Sequence, residues 1–320
     1  MATLVTGGAG FIGSALAERL ASAGESVVVF DNFNDFYDPA LKRANAARLE
    51  AAGAVILEGD VREAELVDRV VDEHGIRRIA HLAALANVRA SVEQAALYMQ
   101  VNAMGSLNVL EAGRRHGVEI VVLASTSSVY GRSERIPFRE DDPADRPLAA
   151  YPASKRAAEI LGHTYTNLFE LPVTALRFFN VYGPAGRPDM MPLRLMRAVS
   201  DGEPVPIFAE GRMERDWTYI DDVVAAVAAS LGRPMGYEIV NLGLGAPIPL
   251  TEFIDAVEAL AGRSVTRVDT PAPLSDPHIT YCDNAKARRL LDFDPSVSVR
   301  DGLARTWAWF QSLDAQRGGA

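Results

Sequence analysis

The 320-residue sequence contains one cysteine, Cys282, so no disulfide can form within the chain. Cys and His residues nowhere fall at the spacing of a zinc site, and no metal is expected. Apolar runs stay well short of the roughly eighteen residues that a membrane-spanning helix requires. Positive charge is also scarce: 32 Lys and Arg stand against 42 Asp and Glu, a formal net charge of -10, which disfavours a nucleic-acid backbone as partner. Val5 already lies in an apolar strand-like run, leaving no room for a signal peptide, and the lone cysteine suits a reducing compartment. A cytoplasmic protein is the expectation. With 48% hydrophobic and 23% charged residues, the chain has the composition of a globular enzyme rather than of a disordered or fibrous protein.

Short β-branched runs alternate with amphipathic stretches through the first half. "ATLVT" (2–6), "SVVVF" (26–30), "AVILE" (54–58), "RRIAHLA" (77–83), "EIVVLAS" (119–125) and "VTALRFF" (173–179) read as strands. Runs as continuously apolar as "VVVF" belong to strands buried on both faces, so the expected fold is α/β, a doubly wound parallel sheet of Rossmann type. After about residue 180 the rhythm changes, as Pro184, Pro188, Pro192, Pro204 and Pro206 interrupt the chain. The expected division is a nucleotide-binding domain over 1–180 and a smaller α/β substrate lobe over 181–320, with the chain free to cross back. Helices are expected at "TEFIDAVEALAG" (251–262) and "RDGLARTWAWFQSL" (300–313).

"TGGAGFIG" (6–13) places Gly7, Gly10 and Gly13 between a strand and a helical stretch. Without Cβ atoms the turn can tighten, a pyrophosphate can approach the backbone, and the first amides of the helix can meet its charge. A dinucleotide is the expected ligand; a tight strand-to-helix turn is the plainer alternative. Asp31 closes the second strand, where a carboxylate accepts from ribose hydroxyls and repels a 2′-phosphate, favouring NAD over NADP. Lys42 or Arg43 could offset that phosphate. Asp60 could accept from an adenine amino group or simply shape its loop.

"YPASK" puts Tyr151 and Lys155 at i and i+4, on one face if helical, with Pro152 suited to a first turn. An ammonium near the phenol favours the phenolate, making Tyr151 a usable general base; a snorkelling surface pair is the alternative. "LASTSSVYG" (123–131) ends another strand in four hydroxyl-bearing residues at the sheet edge where ligands bind, although a polar turn would look the same.

Taken together, "TGGAGFIG", Asp31, "GDVR", "HLAA", Val101–Asn102, "STSSVYG", "YPASK" and "RFFNVYGP" resemble, in order and separation, the extended short-chain dehydrogenases/reductases, specifically nucleotide-sugar epimerases and dehydratases. The resemblance covers nearly the whole chain. It implies a resident NAD⁺ that takes a hydride from C4 of a sugar nucleotide and returns it to the opposite face. It also implies that Tyr151 is the C4-hydroxyl base, that Lys155 binds the nicotinamide ribose, and that Thr126 bonds the reacting oxygen. Cofactor positions by resemblance are Gly7, Gly10, Phe11, Ile12, Gly13, Asp31, Asn32, Lys42, Asp60, Val61, Leu82, Ala83, Ala84, Asn102, Ser125, Tyr151 and Lys155.

Ser127 and Ser128 stand where related dehydratases carry an Asp-Glu pair and decarboxylases a glutamate, so neither elimination nor decarboxylation has its usual equipment. "GPAGRPDM" (183–190) and "NDFYDPALKRANAARL" (34–49) resemble UDP-glucuronate 4-epimerases, in which the arginine matching Arg187 faces the sugar carboxylate. Guanidinium suits that task, since it can make two parallel charge-assisted bonds. The remaining substrate positions by resemblance are Arg89 and Arg215 at the diphosphate, Asp276 at the uridine ribose, and Thr126, Ser127, Ser128, Tyr151 and Asn180 around the sugar. Asn180 is more typical of UDP-glucose 4-epimerases, so UDP-glucose or its N-acetyl derivative is the alternative substrate. A decarboxylase and a catalytically silent NAD sensor are further alternatives. A homodimer through helices near 91–115 and 153–169 is implied by the resemblance alone.

Overall fold

The computed structural model describes residues 1–271 and 277–318. The six β-branched runs form β1 (Ala2–Thr6), β2 (Ser26–Asp31), β3 (Val55–Glu58), β4 (Ile76–His81), β5 (Ile120–Thr126) and β6 (Val173–Phe178). Beyond them the chain makes β7 (Asn180–Tyr182), β8 (Val205–Phe208) and β9 (Glu214–Tyr219), then returns as β10 (Tyr237–Leu242) along the free edge of β6. The resulting seven-stranded sheet runs β10-β6-β5-β4-β1-β2-β3 and is parallel at every pairing. Leu4, Val5, Val121 and Val122 are almost wholly buried, as strands require when helices cover both faces. The strand order reverses between β1 and β4, which opens a crevice at the carboxyl ends of the strands.

The remaining strands, β11 (Pro247–Pro249), β12 (Arg267–Thr270) and β13 (Ile279–Thr280), belong to smaller sheets. β9 pairs with β7, β11 and β13, while β8 pairs with β12. Leu16, Ala17 and Leu20 of helix Phe11–Ser22 share one buried cluster with Val223, Val224 and Val227 of helix Ile220–Leu231. One continuous core therefore joins the large sheet to the later elements.

Helix Ala150–Phe169 buries Tyr151, Ser154, Lys155, Ala158, Glu159, Gly162 and Tyr165. Their three- and four-residue spacing puts them on one face against the sheet. Across from it, Met99–Met104 forms a π-helical turn that brings Asn102 fully inside. Among the described residues no helix is long and apolar enough to cross a membrane.

Candidate active site

The glycine turn is shaped by what its Cβ atoms would strike. Gly7 has φ +65°, and a Cβ there would lie 2.7 Å from the Ala83 amide nitrogen. A Cβ on Gly13 would overlap the Gly7 carbonyl oxygen, so the helix can start this close to the turn only without one. Helix Phe11–Ser22 has no capping side chain and no acid in its first turn, which leaves the amides of its first turn to a ligand anion. The turn opens into a cleft of about 360 Å³ at the strand reversal, within the usual range for small-molecule sites.

At one end, Asp31 accepts from the amides of Ala9 (3.2 Å) and Phe33 (2.9 Å), and Lys42 stands 3.7 Å away. Burial lowers the Lys42 pKa and the Asp31 charge opposes it. The lysine also donates to Asn34 Oδ1 at 3.0 Å. Tyr37, above them, is pushed up to about 12 by burial and the Asp31 charge. Asn32, Val61, Leu82, Ala83 and Ala84 line the cleft together with Gly7, Gly10, Phe11, Ile12 and Gly13. Behind it, Ala83 donates its amide to Thr6 Oγ1 (3.3 Å), which pairs with His81 Nδ1 at 2.7 Å. Burial, with the Lys155 charge, lowers the His81 pKa to about 3 and keeps the ring neutral.

Two residues assigned to the cofactor by resemblance do not line the cleft. Asp60 gives both oxygens to Arg62, at 2.9 and 2.8 Å, and accepts from Asn32 at 2.9 Å. Its pKa sits near 2, because these hydrogen bonds together outweigh the opposing effect of burial. Asn102 exchanges both backbone bonds of Leu85 and donates to Ser154 Oγ, tying the cleft loop to helix Ala150–Phe169.

Tyr151, Lys155, Thr126, Ser125, Ser127 and Ser128 also line the cleft. Tyr151 is hydrogen-bonded with Thr126. Burial raises the Tyr151 pKa, against downward pulls from the Thr126 hydroxyl and the Arg187 charge. The downward pull expected from Lys155 is thus supplied by other groups. Burial lowers Lys155 itself to about 8, with the Glu159 charge opposing that shift and softening the lysine's field.

Asn180 and Arg187 line the same cleft. Arg187 forks onto Asp189 through Nε (3.0 Å) and Nη2 (2.8 Å). Arg89 and Arg215 lie outside the cleft lining: the first stacks 4.3 Å over the Phe208 ring, and the second donates to the carbonyls of Glu214 and His278. Asp276 lies outside the described residues.

Comparison with known proteins places this arrangement. The model of the NAD dependent epimerase/dehydratase family matches residues 3–243. The chain belongs to that family. A UDP-glucuronate 4-epimerase of Thermodesulfobacterium geofontis is 41% identical over 309 residues, spanning 96% of this chain and 95% of that protein. Among solved structures, UDP-glucuronic acid 4-epimerase from Bacillus cereus in complex with UDP-glucuronic acid and NAD matches with a TM-score of 0.92, at 33% identity over 98% of this chain and all of that one. UDP-glucose 4-epimerase of Thermotoga maritima with UDP-glucose matches with a TM-score of 0.91, at 30% identity over 98% of this chain and 99% of that one. Both sugar classes therefore occur on this backbone, and side chains must separate them.

In this epimerase-family chain, several cleft residues escaped the sequence reading. Phe36, Tyr37, Phe178, Phe179 and Met190 line the cleft. Asp189 pairs with its arginine and the Glu159 charge acts on its lysine, while neither lines its space. The "FYD" segment stood inside a recognised stretch, yet nothing local to it marks a cleft residue.

Proposed function

We propose that this protein is an NAD-dependent 4-epimerase that interconverts UDP-glucuronate and UDP-galacturonate through a 4-keto sugar. The observation that carries the reading is one cleft lined by Tyr151, Lys155 and Thr126 together with Arg187, whose charge reaches the Tyr151 phenol. The glycine turn, Asp31 and Leu82–Ala84 suit a dinucleotide, since the turn excludes Cβ atoms and Asp31 at the end of β2 lines the cleft. NAD⁺, when bound there, supplies the acceptor and later the donor of the C4 hydride.

Tyr151 takes the C4-hydroxyl proton and returns it in the second half-reaction. Thr126 holds the phenol oxygen and the reacting oxygen in line, and the Arg187 charge helps to offset the desolvation of the phenolate. Lys155, with a pKa near 8, stays an ammonium at neutral pH and binds ribose hydroxyls. Ser127 and Ser128 donate to the sugar without offering an acid or base for elimination. Oxidation at C4 makes the sugar a β-keto acid, and Arg187 holds its carboxylate out of alignment with the carbonyl π system, which suppresses loss of CO₂.

Residues 1–180 hold the dinucleotide in this account and residues 181–320 the UDP half, with Arg215 and, from the first segment, Arg89 at the diphosphate and Asp276 at the uridine ribose. Val92 on the short helix Ala90–Glu93, Met99 and Met104 on the π-helical turn, and Ile160, Leu168 and Phe169 on helix Ala150–Phe169 are exposed and apolar, which supports a homodimer through these elements. The lone buried Cys282 agrees with a cytoplasmic setting. Asn180, which lines the cleft, favours a second reading, 4-epimerisation of UDP-glucose.

Steady-state rates of an Arg187→Met variant on both sugars separate the two. The uronate reading expects kcat/KM for UDP-glucuronate to fall roughly 100-fold, with a UDP-pentose appearing as by-product. Undiminished turnover of UDP-glucuronate with no pentose would overturn it.

A further inference from the structure

Arg187 does not offer a bare guanidinium to the cleft. Its Nε and Nη2 are taken by Asp189, and Nη2 also donates to the Ala86 carbonyl at 3.2 Å. Asn87 Nδ2 reaches the same carboxylate at 3.4 Å from the facing loop. Of the three Arg187 guanidinium nitrogens, Nη1 alone makes no hydrogen bond to the described residues. Asp189 follows Arg187 by two positions in "GRPDM", and the ring of the intervening Pro188 restrains the backbone between them. The Asp189 carboxylate is held below the usual range: burial opposes this, but the hydrogen bond and charge of Arg187 outweigh it.

We propose that Asp189 is a specificity-determining residue: by occupying one edge of the Arg187 guanidinium and neutralising its charge, it limits how strongly the cleft prefers an acidic sugar over a neutral one. The inference rests on the reading that Arg187 receives the sugar carboxylate. In this geometry that carboxylate meets Nη1 alone, a single donor nitrogen in place of the two-nitrogen fork that an unpaired arginine would present. The incoming carboxylate also enters the field of a second one across the same guanidinium. A neutral hexose experiences neither effect. Asp189 therefore acts through Arg187 and on charged ligands selectively, unlike a loop brace, which would support all sugars alike.

Calorimetric Kd values of the purified holoprotein for UDP-glucuronate and UDP-glucose test this in the parent, Asp189→Asn and Asp189→Glu. Asp189→Asn should tighten UDP-glucuronate relative to UDP-glucose by about tenfold, and added salt should shrink that gain. In turnover, KM and kcat for UDP-glucuronate should fall together as release of the acidic product slows. Asp189→Glu, which restores the charge, should return the Kd ratio toward the parent value. An unchanged ratio, equal weakening of both ligands, or selective weakening of UDP-glucuronate would each overturn the inference, the last by showing that Asp189 serves only to aim Arg187. A parent protein that binds and turns over UDP-glucose alone would instead overturn the sugar assignment, a result visible without any variant.

Discussion

Glu159→Gln should destabilise the protein far more than its distance from solvent-exposed function suggests. Glu159 and Arg177 are both fully buried, and the guanidinium forks onto the carboxylate through Nε and Nη2, each at 2.8 Å. Ser125 Oγ and Arg156 Nη1 supply two further donors, so the carboxylate sits under four hydrogen bonds. Glutamine keeps the shape but offers one acceptor oxygen, and its amide nitrogen faces a donor. Arg177, whose Nη1 has no hydrogen-bond partner among the described residues, becomes a buried cation without its carboxylate. Breaking such a pair from one side costs about 3–5 kcal/mol, a large part of a typical total of roughly 5–15 kcal/mol. Equilibrium urea unfolding, followed by the fluorescence of buried Trp217, reads the loss. The double variant Glu159→Gln/Arg177→Met removes both charges and should be more stable than Glu159→Gln alone. A single substitution that loses under about 1 kcal/mol, or a double whose loss equals the sum of the singles, would refute the reasoning.

Gly13→Ala should lose about 1–3 kcal/mol and leave the purified protein with less bound NAD, because the new methyl meets the Gly7 carbonyl; unfolding at the parent's urea midpoint with full NAD content would contradict this. Arg187→Met should move the acid limb of kcat/KM to higher pH: the Arg187 charge pulls the Tyr151 pKa down, so its removal lets the phenol rise and the phenolate forms later. A limb that stays in place, or moves to lower pH, would show that Arg187 does not act on the phenol.

Strands and the glycine turn were readable because they depend on local signals: β-branched runs for β1 to β6, and spaced glycines before a helix. The Tyr151 and Lys155 face was readable from helical spacing. β10 was missed because "YEIVNL" is amphiphilic and its place beside β6 depends on the chain crossing back over 58 intervening residues, from Phe178 to Tyr237. Burial and partner choice were equally out of reach. Asp60 satisfies its carboxylate two residues away on Arg62, while Asn102 reaches Leu85 and Ser154. Glu159 reads as the polar position of an amphipathic helix, and only Arg177, brought alongside by β6, explains its burial. The Arg187 fork onto Asp189 follows a two-residue spacing that no helix or strand period singles out.

Proton NMR of the purified protein incubated with UDP-glucuronate deuterated at C4, with no NAD added, tests the central claim most directly. The account predicts UDP-galacturonate that retains the deuterium at C4, because one resident carrier takes the label and gives it back to the opposite face. Deuterium lost to solvent, a dependence on added NAD, or no UDP-galacturonate at all would contradict it.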